Sequence, residues 1–156
     1  FATPNPLNDK LVDKIEDING VDVAFNRYLN SVTLRFNKVT DISFAASVPI
    51  DSHRRVFEEM LNLKTSEGRL LRDGDTKGVL LGNDFSTKDT RFGKEIHSGD
   101  KVSINDEIYT VVGILEKKGS FIIDQTIFVN EVLILLITSS DFPLFSMSSN
   151  KRQAIK

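Results

Sequence analysis

The chain has 156 residues, of which 40% are hydrophobic and 27% charged, and it contains no cysteine. A chain of this length can bury a sizeable core as one globular unit, and the lack of cysteine excludes disulfides and thiolate chemistry. The formal net charge of −2 gives no overall basic field, and the densest basic pairs, at positions 54–55, 117–118 and 151–152, are isolated dipeptides. We therefore expect no nucleic-acid partner.

The chain contains no apolar run near the ~20 residues that a membrane-spanning helix needs. The longest run covers residues 132–137, and the first residue is Phe1 rather than methionine. The sequence predicts a soluble segment, with any membrane anchor outside it.

An amphipathic helix is predicted over residues 7–19. Apolar residues at 7, 11, 15 and 18 fall on one helical face. Asn5-Pro6 is suited to the helix start and Asn19-Gly20 to its end.

From Val21 the apolar period changes to two, which predicts three strands. Apolar residues at 21, 23 and 25 share one strand face, those at 32, 34 and 36 share another, and Asn37-Lys38 turns the chain into a strand over 39–48. A second helix follows, with Asp51 or Ser52 as its cap and its end near residue 63.

The second half of the chain predicts short strands separated by turns. A loop around Gly68 and residues 73–75 precedes a strand at 79–81, and a short helix then extends to Arg91. Strands at 102–104 and 108–115 form a hairpin about Asn105-Asp106. A strand at 126–129, a helix capped by Asn130 that extends to 138, and a strand at 144–148 complete the order, which is α+β with a mixed or antiparallel sheet.

Residues 67–130 carry a recognisable order of motifs. These are GRLLRDGD, VLLGNDF, FGKEIHSGDKVSINDEIYTVVGILEKKGSF and DQTIFVN. In this order and spacing they resemble the extracytoplasmic (periplasmic core) domain of the MacB/FtsX-type ABC transporter permeases.

The resemblance implies a two-lobed domain at the extracytoplasmic face of the cell membrane. Residues 1–65 and 122–156 correspond to a porter-like α/β lobe, and residues 66–121 to a small inserted α/β lobe. The family pattern continues beyond a strand like 144–148 into a closing amphipathic helix. The implied partners are the rest of the permease and its cytoplasmic ATPase, with a second permease copy or an extracytoplasmic adaptor as further candidates. The transported substrate does not follow from the resemblance.

No catalytic, cofactor-binding or metal-binding residue set is predicted, so we expect a protein that is not an enzyme. His53 and His97 lack further ligands at metal spacing and are expected at the surface. Residues 73–84 begin like a calcium loop, but Lys77 stands where an oxygen ligand is required and Asp84 where a bidentate Glu is. No GxGxxG, GxxxxGK[ST] or GxSxG motif occurs.

One stretch allows two interpretations. Residues 117–123 place Phe121, Ile122 and Ile123 directly after a turn. The favoured interpretation is that Phe121 and Ile123 start the next strand and face the core. The alternative is an apolar contact surface for a partner subunit or substrate.

Two functions therefore remain open. The first is the extracytoplasmic domain of an ABC transporter permease, which binds a substrate or partner and couples that binding to the membrane helices. The second is a free-standing secreted binding module with no catalytic activity.

Overall fold

The computed structural model describes residues 9–137 and 143–150. The described elements, in chain order, are α1 (Asp9–Glu16), β1 (Val21–Phe36), β2 (Val39–Val48), α2 (Asp51–Met60), β3 (Thr65–Gly68), β4 (Gly78–Leu81), a short 3-10 helix (Asn83–Ser86), β5 (Lys101–Ile104), β6 (Glu107–Leu115), α3 (Phe121–Asp124), β7 (Thr126–Asn130), α4 (Glu131–Ile137) and β8 (Pro143–Asn150). The predicted α+β class is confirmed.

Six strands close into a ring. The pairing order is β1–β2–β7–β4–β6–β5 and back to β1, with β2–β7 and β4–β6 parallel and the other pairs antiparallel. β3 pairs with the end of β6, outside this ring, and β8 pairs with the first half of β1. The sheet is thus mixed.

The interior of the ring is apolar. All six strands contribute alternate side chains to one buried cluster, which includes Leu34, Ala45, Val79, Val102, Val111 and Ile127. Residues from α4 and Phe85, Phe92 and Ile96 belong to the same cluster. A second cluster forms on the other side of the sheet, where Phe57 of α2 packs with Leu80 and Phe128. Both clusters contain residues from 66–121 and from the rest of the chain.

The long strand β1 replaces two predicted strands. Residues 21–28 pair with β8 and residues 29–36 with β2, with a register shift between Arg27 and Tyr28. The apolar positions of the two predicted strands are odd-numbered before this shift and even-numbered after it. This change is why the sequence indicated two strands instead of one.

Several other local predictions are corrected. α1 ends at Glu16 rather than residue 19, and its predicted start lies outside the described residues. The N-cap of α2 is Ile50, without a side-chain cap. The predicted helix to Arg91 is only the 3-10 turn, because the Ser86 and Thr87 hydroxyls bond back to the carbonyls of residues 83 and 84, and Thr87 is extended. Strand β3 replaces part of a predicted loop.

Both predicted hairpin turns are confirmed. Asn37 and Lys38 have φ of 50° and 62°, and Asn105 and Asp106 have φ of 48° and 69°. Two successive positive φ values are the type I′ geometry that matches strand twist. The strands predicted at 79–81, 102–104, 108–115, 126–129 and 144–148 are also present.

Candidate functional site

Four large apolar side chains lie exposed near one another on the outside of the ring. They are Ile42 (65% exposed), Phe44 (49%), Phe121 (68%) and Ile122 (61%), and we call them the apolar strip. Single exposed apolar residues are common, whereas a contiguous group of them is a candidate interaction surface.

The strand pleat places Ile42 and Phe44 on this outer face. Neighbouring Ser43 and Ala45 are buried, so the even-numbered positions of β2 point outward in this region. Phe44 pairs with Thr126 of β7, directly beside the turn that carries Phe121 and Ile122. The strip therefore spans two adjacent elements, β2 and α3.

The turn that presents Phe121 and Ile122 is held by a buried carboxylate. Asp124 is 3% exposed, and its two carboxylate oxygens accept hydrogen bonds from the backbone N–H groups of Lys118 and Gly119, both at 2.8 Å. The backbone N–H of Asp124 donates to the Ser120 carbonyl at 2.7 Å. Because these bonds close residues 118–124 on themselves, the turn holds the backbone of the two exposed residues in a fixed position.

Gly82 packs closely against the backbone of the same turn. A Cβ at this position would lie 2.3 Å from the Ile123 carbonyl oxygen and 2.4 Å from that of Asp124. Only glycine allows the end of β4 to approach the turn this closely.

Three residues of the strip, Phe44, Phe121 and Ile122, line a small groove of about 150 Å³. The lining residues are Leu29, Phe44, Phe121, Ile122, Gln125 and Thr126. The Thr126 hydroxyl donates to the Ile122 carbonyl and so is already satisfied within the protein. The groove therefore offers an apolar contact with few free polar groups.

A polar cleft of about 310 Å³ adjoins this groove and shares Gln125 with it. Its other lining residues are Asp84, Phe85, Thr87, Asp89, Thr90, Arg91 and Lys117. Arg91 forms an ion pair with Asp41 at 3.0 Å and donates to the Ile42 carbonyl at 3.2 Å. These contacts attach the 87–91 loop to β2 beside the strip. The apolar strip therefore has polar residues along one edge.

The favoured prediction for residues 121–123 is wrong for Phe121. Residues 121–124 form a helical turn before β7, and Phe121 and Ile122 face outward. Ile123 is half-buried and packs against the second apolar cluster, as expected for a core-facing residue. No sequence signal identified Ile42 and Phe44, because alternation alone does not say which face of a strand a neighbour covers.

The two histidines lie at the surface, as predicted. The His53 and His97 side chains are 40% and 48% exposed. His97 contacts Glu67 through Nδ1 at 2.8 Å and Glu95 through Nε2 at 3.3 Å. Hydrogen bonding to Glu67 raises the pKa of His97, and the same hydrogen bond lowers the pKa of Glu67.

The residues of the calcium-like segment instead form ion pairs. Asp73 accepts from Arg54 at 2.8 Å and Asp75 from Arg69 at 2.7 Å. Arg54 also donates to Asn130 at 2.6 Å, which joins α2 to the end of β7. Within residues 9–137 and 143–150, no group of three potential metal ligands converges.

No helix in the described part of the chain is long and apolar enough to cross a membrane.

Comparisons with known proteins indicate a transporter domain. A family model described as the MacB-like periplasmic core domain matches residues 2–152. An uncharacterized ABC transporter permease of Methanocaldococcus jannaschii is 28% identical over 122 residues, which are 78% of this chain and 30% of that protein. The chain thus spans less than a third of the length of this curated relative.

Two solved structures share the fold. The extracellular domain of the noncanonic ABC-type transporter YknZ from Gram-positive bacteria has a TM-score of 0.67 at 18% identity, covering 96% of this chain and 76% of that one. The periplasmic region of MacB from Actinobacillus actinomycetemcomitans has a TM-score of 0.61 at 14% identity, covering 89% of this chain and 62% of that one.

Proposed function

The chain belongs to the family of MacB-like periplasmic core domains, and from that premise we propose that it binds a protein partner outside the membrane through its apolar strip and couples that binding to a transporter's membrane helices. The family consists of transporter domains and is not a class of enzymes. In this proposal the rest of the permease and a cytoplasmic ATPase are the other components of the transporter.

The observation that supports this function best is the rigid exposure of Phe121 and Ile122. A buried carboxylate and a close glycine contact hold the turn, yet its two largest side chains face outward. A backbone segment already fixed in a binding geometry loses little entropy when a partner docks. Such a turn is suited to protein recognition.

The size of the groove favours a protein partner over a free small molecule. Pockets for drug-sized ligands have volumes of roughly 300–1,000 Å³. The groove of about 150 Å³ is smaller. An apolar space of roughly this size accommodates a single benzene ring. It therefore fits one large apolar side chain, the kind of anchor that dominates protein interfaces.

Strand β1 provides a physical route from the strip to strand β8. Leu29 lines the groove, and the same unbroken strand begins at Val21, which pairs with Asn150 of β8. The start of β1 and the end of β8 thus lie side by side. A partner that shifts β1 would therefore act on β8 as well.

The test uses the full-length permease with its ATPase in the native membrane. A photo-crosslinking residue placed at position 121 should form an adduct with one extracytoplasmic protein, which is identified and then purified. That protein should stimulate the ATPase activity of the wild-type transporter but not of the Phe121→Ser/Ile122→Ser variant, because the variant lacks the apolar anchor site. Co-purification with the ATPase checks that the variant assembles.

Val132→Ser is the matched control, since Val132 is 61% exposed on α4 and outside the strip. It should retain full stimulation. An adduct with a second permease copy would identify self-association as the role of the strip. The absence of an adduct, or full stimulation of the double variant, would contradict the proposal.

A further inference from the structure

The outer sheet face that carries the apolar strip also carries a group of basic residues. Arg35, Lys38 and Lys101 are exposed and line a cleft of about 380 Å³, and we call them the basic patch. The cleft also contains Asp106 and the exposed Ile108. The sequence did not reveal this patch because Lys101 is distant along the chain from Arg35 and Lys38.

Strand register places the patch and the strip on the same face. Ser31, Thr33 and Arg35 are the outward positions of β1, and they pair with Phe44, Ile42 and Thr40 of β2 in that order. On its other side, Arg35 pairs with Ser103 of β5. One continuous outer surface therefore extends from Phe121 across β2 and β1 to β5.

The charge of the patch differs from that of the molecule. Three cations and one carboxylate give this cleft a formal charge of +2, whereas the whole chain has −2. None of the three cations forms an ion pair within the described residues. The Lys101 ammonium donates to the Thr110 hydroxyl, which leaves its charge uncompensated, so the patch can attract an external anion.

Two tight turns hold this end of the sheet. Lys38 belongs to the type I′ turn between β1 and β2. At the β5–β6 turn, Asn105 accepts from the Thr33 backbone N–H at 2.8 Å and donates to the Ile137 carbonyl at 2.9 Å. The backbone that carries the cations is therefore fixed, like the turn that carries the strip.

We propose that the basic patch and the apolar strip form one docking surface for an acidic protein segment that carries a large apolar side chain. This inference rests on the proposed function and specifies the chemistry of its partner. The apolar side chain enters the groove beside Phe44, and the carboxylates of the same segment lie over Arg35 and Lys101.

The register sets the spacing that such a segment needs. Arg35 lies four residues along β1 from Ser31, the partner of Phe44. At about 3.3 Å per residue and about 4.8 Å between strands, the Cα atoms of Phe44 and Arg35 are about 14 Å apart. An extended segment covers this distance with about four residues.

The experiment titrates three synthetic peptides into the isotopically labelled 156-residue chain and follows backbone amide shifts by NMR. Each peptide has a central phenylalanine. One pair of identical residues is centred about four positions before it and a second pair about four positions after it, so that either chain direction suits the surface. These residues are aspartate, asparagine or lysine. We expect the aspartate peptide to bind about three- to tenfold more tightly than the asparagine peptide at low salt, and the lysine peptide to bind most weakly.

Variants and salt separate the two parts of the surface. Arg35→Gln/Lys101→Gln should abolish the preference for aspartate without changing the affinity for the asparagine peptide. High salt should have the same effect, because the Debye length falls from about 10 Å at 0.1 M to about 3 Å at 1 M. Phe121→Ser should weaken the binding of all three peptides.

The possible failures are distinct. Equal affinities for the aspartate and asparagine peptides at low salt would overturn the role of the basic patch and leave the apolar strip as a docking site. If neither of these two peptides shifts amide signals of the strip, the groove is not an anchor site, and both the proposed function and this inference are wrong.

Discussion

At the scale of single residues, His97 forms a contact that depends on pH. Its ring lies between Glu67 and Glu95, and the backbone N–H of Ser98 also donates to Glu67 at 3.1 Å. The contact joins β3 to the 95–100 loop, where the His97 backbone N–H donates to Asp100 at 2.8 Å. It is exposed, so its contribution to stability is small.

The direction of the pH dependence follows from the two pKa shifts. The pKa of His97 is raised from 6.5, so its stabilising contribution is complete below 6.5 and is lost as pH rises through the folded-state pKa. The pKa of Glu67 is lowered from 4.5, so its contribution is complete above 4.5 and is lost as pH falls through its folded-state pKa. The contact stabilises the fold most between these two reference values.

We therefore predict that His97→Gln lowers the melting temperature more at pH 5.5 than at pH 8.5. Thermal unfolding monitored by circular dichroism at the two pH values provides the measurement. In a Glu67→Gln background, most of this pH dependence should disappear, because the main partner of the imidazolium is gone. An equal effect of His97→Gln at both pH values would show that the ring does not bind Glu67 as a cation.

At the scale of elements, the position of α3 depends on a glycine in another strand. Gly82 directly follows β4, and its lack of a side chain allows the turn to pack against the end of this strand. The apolar strip thus depends on β4 as well as on the elements that carry it.

We predict that Gly82→Ala destabilises the fold by about 1–3 kcal/mol, because the new Cβ lies within 2.4 Å of two carbonyl oxygens and the turn must move away. Urea unfolding measures this loss. Gly74→Ala is the matched control, since a Cβ at Gly74 meets nothing within 4 Å and its φ is not in the left-handed region. The control should be neutral or slightly stabilising. Equal stabilities for the two variants would contradict this account of the turn.

At the scale of the whole molecule, the strands of residues 66–121 belong to the closed ring. β4 pairs with β7, and β5 pairs with β1, so the three ring strands from residues 66–121 join the three from the rest of the chain at two places in one sheet. The division into lobes of residues 1–65 with 122–156 and of residues 66–121 remains a prediction. The shared ring gives a direct way to test whether they unfold independently.

We predict that Leu81→Ala lowers global stability by about 2–5 kcal/mol, because Leu81 is fully buried in the ring interior. Native-state hydrogen exchange should show protection falling by the same factor in β2 and β7 as in β4 and β6. Ile108→Ala, at a position that is 59% exposed in the same segment, should change protection little. A loss of protection confined to residues 66–121 would instead support two separately unfolding lobes.

The sequence by itself determined the α+β class, the family resemblance and most strands between residues 79 and 129. These features depend on local periodicity, on turn residues such as Asn105-Asp106, and on the order of motifs, all of which are written in neighbouring residues. The family resemblance is confirmed by the family model that matches residues 2–152.

Only the tertiary structure decided which apolar residues form the core and which form a surface. Phe121 and Phe85 are equally apolar in the sequence, yet Phe121 is 68% exposed and Phe85 only 3%. The difference arises because Asp124 and Gly82 orient one turn outward, while the ring encloses the other side chain. Likewise, Arg35 and Lys101 meet only because β1 pairs with β5. Burial and charge clustering depend on such long-range pairing, whereas propensity and turn chemistry act over a few residues.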